Sequence, residues 1–173
     1  MSGRGVLFAI DDETLARLGE ARSDAEVRAI VEELEERWEP AAACELDKAW
    51  DAIHRALTDG RLAYDSGRPP LSLAILGGHR LHDGDELIVT VKAFDEVQRV
   101  ARALSEWDRA KLRAAYYRIP KQDYGDLDEE DFEYVWAYFQ KMLELWRDAA
   151  RDERSVVFTV APRPSGAASA AAP

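Results

Sequence analysis

A single mixed α/β (α+β) domain, a small mixed sheet packed with several amphipathic helices, is the fold class that this 173-residue sequence predicts. Three observations predict it. Four short apolar runs, "GVLFAI", "LSLAILGG", "DELIVTVKAF" and "RSVVFTVA", have the lengths and bounding residues of strands. The intervals between them repeat apolar residues every three or four positions, as helices with one buried face do. Beyond Ala161 the patterning stops, because "PRPSGAASAAAP" supplies too little apolar burial to offset the entropy of ordering it. The globular domain is therefore expected over 1–161 and a disordered tail over 162–173.

Taken in order, Gly5 to Ile10 is a buried strand bounded by a glycine and Asp11. "DDETLARLGEA" holds a short helix. In "SDAEVRAIVEELEERWEP", Ser23 and Glu26 form a capping box, Val27, Ile30, Val31, Leu34 and Trp38 recur at helical spacing, and Pro40 ends the run. "LDKAWDAIHRALTDG" (46–60) is a second amphipathic helix that Gly60 stops. "RLAYDSGRPP" is a loop by its glycine and paired prolines, and "LSLAILGG" is a buried strand or extended segment. In "DELIVTVKAF", Leu87, Val89 and Val91 alternate with Thr90 and Lys92. Two helices follow, the second opening at Ser105 with an acid three residues on, and "PKQDYGDLDEED" is a polar loop. The longest helix, about 128–151, places Phe132, Val135, Trp136, Phe139, Leu143 and Trp146 on one face, read as core. The helical intervals are long enough for crossovers, so parallel pairing is allowed.

Composition excludes several functions. A net charge of −11 opposes a nucleic-acid binder, which must neutralise phosphates, and opposes an anionic membrane surface. No apolar stretch approaches the length of a membrane span, and the Val6–Ile10 run is too short for a secretory signal. One cysteine, Cys44, forbids an internal disulfide, so a cytoplasmic home is expected.

The densest chemistry lies in the 46–60 helix. On a wheel of about 100° per residue, Leu46, Ala49, Trp50, Ile53 and Leu57 form the core face. Asp47, Asp51 and His54 then stack on one edge at i, i+4 and i+7, where two acids and an imidazole could hold a ligand or move a proton. A plainer reading makes Asp47 the N-cap, pairs Asp51 with Arg55 and leaves His54 at the core border; the residues favour it. In "LGGHRLHDGDE", Gly77 and Gly78 permit a close backbone approach to a ligand, while His79 and His82 lack the spacing of a metal site. The acids of 126–133 lack a calcium loop's glycine and suit a helix N-terminus instead. No phosphate loop, dinucleotide fingerprint or nucleophile elbow is present, so no cofactor or metal is expected.

The order "LDKAWDAIHRALTDG", "PPLSLAILGG" and "YVWAYFQKMLELWRDAARDERSVVFTV" resembles the YfbM-like family of bacterial domains over most of residues 5–161. Asp47, Lys48, Trp50, Ile53, His54, Pro70, Leu71, Ser72, Gly77 and Gly78 carry the match. The resemblance implies one α/β domain of unknown function and transfers no catalytic residue. It also implies a Gly-Tyr-Gly-Pro-Ala-Arg-Tyr stretch near 85–93, where this chain has "DELIVTVKAF".

The leading functional expectation is a non-enzymatic binding or interaction protein. The alternative is a small enzyme or small-molecule binder. In it His54 acts as acid/base, Asp47 or Asp51 orients it, and Trp50, Ser72, Gly77, Gly78 and His79 line the ligand site. The partner is accordingly a protein or a small molecule.

Overall fold

The computed structural model describes residues 3–161. The tail expected over 162–173 lies outside them. Five strands, β1 (Arg4–Ile10), β2 (Ala43–Asp47), β3 (His79–Arg80), β4 (Ile88–Lys92) and β5 (Ser155–Ala161), form one sheet in the order β2-β1-β5-β4-β3. The helices are α1 (Asp12–Glu20), α2 (Asp24–Arg37), α3 (Ala49–Leu57), α4 (Phe94–Leu104), α5 (Arg109–Tyr116), α6 (Lys121–Tyr124) and α7 (Glu129–Arg151). Mixed α/β architecture in one domain is thus as the pattern implies.

Every adjacent strand pair is antiparallel. The long helical intervals do not produce the parallel pairing they allowed. Between β1 and β2 lie two helices, and between β4 and β5 lie four. An even number of helices adds a chain reversal that the single helix of a parallel crossover lacks.

Helices cover both faces of the sheet. On one, Val6, Phe8, Ile10, Val89 and Val157 meet Leu18, Val27, Ile30 and Val31 of α1 and α2. On the other, Leu7, Ile88, Val156 and Phe158 meet α3, α4, α5 and α7 through residues such as Trp50, Val97, Leu112 and Phe139. Strand β5 is apolar on both sides for this reason. Among the described residues no helix is long and apolar enough to cross a membrane.

The local signals are chemical. Ser23 Oγ accepts the Glu26 amide, while Glu26 reaches back to the Arg22 amide, one residue before the expected box partner. Asp11, Asp108 and Asp128 cap α1, α5 and α7 by accepting backbone amides, so Asp108 and not Ser105 opens α5. Three segments depart from expectation. The stretch 46–60 is not one helix: Leu46 and Asp47 end β2, and α3 begins only at Ala49. Residues 71–74 form a 3-10 turn, not a strand. The polar loop after Pro120 contains the single turn α6.

Candidate functional site

Helix α3 sorts the expected site residues into separate surroundings. Asp47 is not an N-cap. It turns the chain out of β2 at φ +45° and its carboxylate accepts the Tyr134 hydroxyl at 2.9 Å. That same hydroxyl accepts the Lys48 amide at 3.1 Å. Asp51 accepts Arg55 Nε at 2.6 Å, and the guanidinium also donates to the Gly60 carbonyl. Asp51 thus pairs as the i, i+4 spacing implied.

His54 turns away from both acids. It is 1% exposed, with Nε2 at 2.6 Å from Ser66 Oγ and 3.1 Å from the Ala63 carbonyl. A carbonyl only accepts, so the tautomer that satisfies Ala63 carries its proton on Nε2. That assignment leaves Nδ1 without a partner, consistent with its orphaned state. It also makes Nε2 a donor toward Ser66, so the imidazole cannot deprotonate that serine. Burial pushes the His54 pKa down to about 4 and keeps the ring neutral. The Ser66 hydroxyl donates onward to Ala63 O at 2.8 Å, which closes the loop 58–67 on α3.

The 71–74 turn packs on α3, and the protein itself fills the space at the glycines that follow it. Gly77 donates to the Ser72 carbonyl at 2.9 Å, and a Cβ there would fall 2.4 Å from that oxygen. Gly78 has φ +111°, and its Cβ would meet the Val91 carbonyl at 2.6 Å. Both glycines are required by neighbouring backbone, without a ligand. His79 is exposed in β3, and Ser72 is buried. Trp50 donates its indole N–H to the Gly3 carbonyl at 3.0 Å and rests on Phe158.

Lys92 is the residue that sequence reasoning undervalued. It is completely buried, with Nζ donating to Thr90 Oγ1 at 2.7 Å and to the Ile75 carbonyl at 2.5 Å. Its stem passes the Gly78 turn and its amine lies over the Phe158 ring. Burial holds its pKa well below the ordinary lysine value. A signal existed: Thr90 and Lys92 alternate with apolar residues on a strand, in a chain with enough amphipathic helices to cover a small sheet on both faces. A sheet covered on both faces must bury them.

A second group of ionisable residues joins α5 to α6 and α7. Tyr116 and Tyr124 both donate to Asp131 Oδ2, at 2.6 and 2.8 Å. Burial and then the Asp47 carboxylate push Tyr134 up to about 12, and burial with Asp131 raises Tyr124 also. These phenols stay protonated at neutral pH and serve as donors, not bases. Among the described residues no cluster of three or more His, Cys, Asp or Glu could hold a metal. Cys44 is buried, and desolvation lifts its thiol to about 11.

An open cleft lies elsewhere, between α4 and α7. It has a volume of about 440 Å³, against about 310 Å³ for a groove between β2 and α7. Ala101 and Leu104 of α4 form one wall, and Trp136, Leu143 and Ala150 of α7 form the other, with Trp107 at one end. The rings of Trp136 and Trp107 flank Phe139 at 6.0 and 6.2 Å. Gln98 ties the two helices by donating to the Ala150 carbonyl. Trp136 and Leu143, expected in the core, are therefore only half-buried. Their spacing is that of a helical face wider than α4 can cover.

Residues 1–159 match the family described as "Domain of unknown function (DUF1877)". The chain belongs to that family. Protein YfbM of Escherichia coli (strain K12) is 28% identical over 113 residues, which are 65% of this chain and 65% of that protein. The matched segment thus spans slightly less than two thirds of YfbM. The crystal structure of YfbM from Escherichia coli, described as a protein of unknown function, matches with a TM-score of 0.68 at 23% identity. It covers 91% of this chain and 99% of YfbM, and at that identity speaks for the fold alone. The YfbM-like resemblance is met, and it carries no assigned site. Where a Gly-Tyr-Gly-Pro-Ala-Arg-Tyr stretch was implied, this DUF1877 domain has β4 and its buried lysine.

Proposed function

We propose that this DUF1877 domain is a non-enzymatic interaction protein whose α4–α7 cleft receives an amphipathic helix. One observation carries the reading. Along α7, Trp136, Gln140, Leu143, Arg147 and Ala150 all line the cleft, and their steps of four, three, four and three are a heptad seam. The seam is about 21 Å long at 1.5 Å per residue, the length of four helical turns. A third helix laid between α4 and α7 would cover Trp136 and Leu143, which the domain leaves half-covered.

The alternative of a small enzyme needs Asp47, Asp51 and His54 to converge with the 72–79 turn. His54 is instead committed to Ala63 and Ser66, and Lys92 occupies the space beside Gly78. A cytoplasmic setting fits the free Cys44 and the charge of −11.

The test places a photo-crosslinking amino acid at exposed Gln140 in cells, with a second at Glu130 as control. The reading expects adducts from position 140 alone, mapping to a helical segment with apolar residues at heptad spacing and lost on Leu143→Arg. Equal labelling at both positions, or adducts insensitive to Leu143→Arg, overturns it.

A further inference from the structure

The seam of α7 complements itself. Leu143 stands at its centre, with Trp136 seven residues before and Ala150 seven residues after. Gln140 lies three residues before the centre and Arg147 four after it. We propose that the helix received by the α4–α7 cleft is α7 of a second copy of this chain, running antiparallel about a two-fold axis near Leu143.

This inference rests on reading the cleft as a helix site, and it fixes the occupant by complementarity of size and polarity. In such a pairing the large indole of Trp136 meets the partner's Ala150, and the reverse contact follows by symmetry. Leu143 meets its own equivalent. Gln140 presents an amide oxygen to the partner's Arg147, whose guanidinium can only donate. Arg147 is exposed and its contact with Asp148, at 3.3 Å, lies on the surface, so it is free to change partner. A large residue opposite a small one, and a donor opposite an acceptor, are what an isologous helix interface requires. Each α7 then seats in the groove beside the other copy's α4, giving a four-helix contact.

Charge separates this occupant from a basic partner helix. Two copies each carrying −11 repel at long range, and Glu144, exposed on the same wall beside Leu143, sets a carboxylate of each copy near the axis. Added salt therefore screens the repulsion and tightens a self-association driven by apolar contact. A basic partner helix would show the opposite dependence, losing affinity as salt rises.

Sedimentation velocity over a wide concentration range tests the proposal with the full chain. The expected result is a shift from 19.5 kDa to twice that mass, strengthening with salt. Leu143→Arg should abolish the shift. Because both Gln140 and Arg147 are exposed, a swap that leaves the core untouched gives a second readout. Gln140→Arg alone, which opposes two guanidinium groups, should weaken the dimer about tenfold, and adding Arg147→Gln should restore it. A monomer at all concentrations overturns self-pairing, as does a dimer indifferent to Leu143→Arg or one that the swap fails to restore. Failure here remains distinct from failure of the cleft reading. Crosslinks from position 140 to another protein's helix would keep the cleft and exclude the second copy.

Discussion

At His54 the imidazole has exchanged water for the Ala63 carbonyl and the Ser66 hydroxyl, and its pKa stands at about 4 against an ordinary 6.5. Between those two values the unfolded chain binds a proton that the native state refuses. Stability therefore falls as pH drops through that window, by roughly 2 kcal/mol between pH 7.5 and 5 from this group alone. Urea titrations at both pH values, on the wild type and on His54→Gln, measure it. The variant should lose that part of the slope, and an unchanged slope would exclude a neutral buried ring. Lys92 has the same sense of shift, since burial favours the neutral amine. Its native pKa lies below the unfolded one, so stability should rise as pH climbs toward the ordinary lysine range. Lys92→Met removes a costly buried group, while the Ile75 carbonyl keeps the Thr90 hydroxyl at 3.2 Å. The expected variant is within about 1 kcal/mol of wild type or more stable, and lacks the alkaline gain. A loss above about 3 kcal/mol would instead mark the lysine as a needed donor.

Among the elements, α7 depends on a cap and the turn that enters β3 on a glycine. Asp128→Ala removes the acceptor for the Asp131 amide and should cost about 1 kcal/mol in thermal or urea unfolding. Gly78→Ala should cost more than the cap does, because φ is +111° and the new carbon would stand 2.6 Å from the Val91 carbonyl. If Gly78→Ala proves the milder change, the turn relaxes and the close approach is not required. The helices that sequence patterning identified, α2 and α7 above all, have long repeats and real caps. Strand β2 escaped notice because Leu46, Ala49, Trp50, Ile53 and Leu57 fit a helical wheel while Leu46 is buried from the sheet instead. The reversal at Asp47 uses positive φ on a non-glycine residue, which nothing in the local sequence announces. The 71–74 turn is not legible, because a short apolar run has no period of its own. Of the candidate site, the Asp51–Arg55 pair was legible at i+4. Asp47 and His54 diverge because Asp47 ends β2 and only His54 lies on α3.

For the molecule as a whole, both helical layers are fastened to one sheet, and β5 contributes to each core. Phe158 belongs to one face and Val157 to the other. Phe158→Ala should therefore cost about 3–5 kcal/mol and lower a single transition, seen alike by far-UV circular dichroism and tryptophan emission. Two separated midpoints would mean that the layers melt independently. Strand order was beyond the sequence because antiparallel pairing of β1 with β5 joins residues more than 140 positions apart, and no local pattern records such a partner.

That central place of β5 bears on biosynthesis. Strands β1 and β4 touch β5 but not each other, and β5 follows every other described element in the chain. While the polypeptide is being made, the earlier strands form two unconnected fragments with a gap between them, however long translation pauses. Ribosome-bound intermediates of this domain must wait with greasy strand margins uncovered, and only the arrival of the closing strand turns them into one molecule.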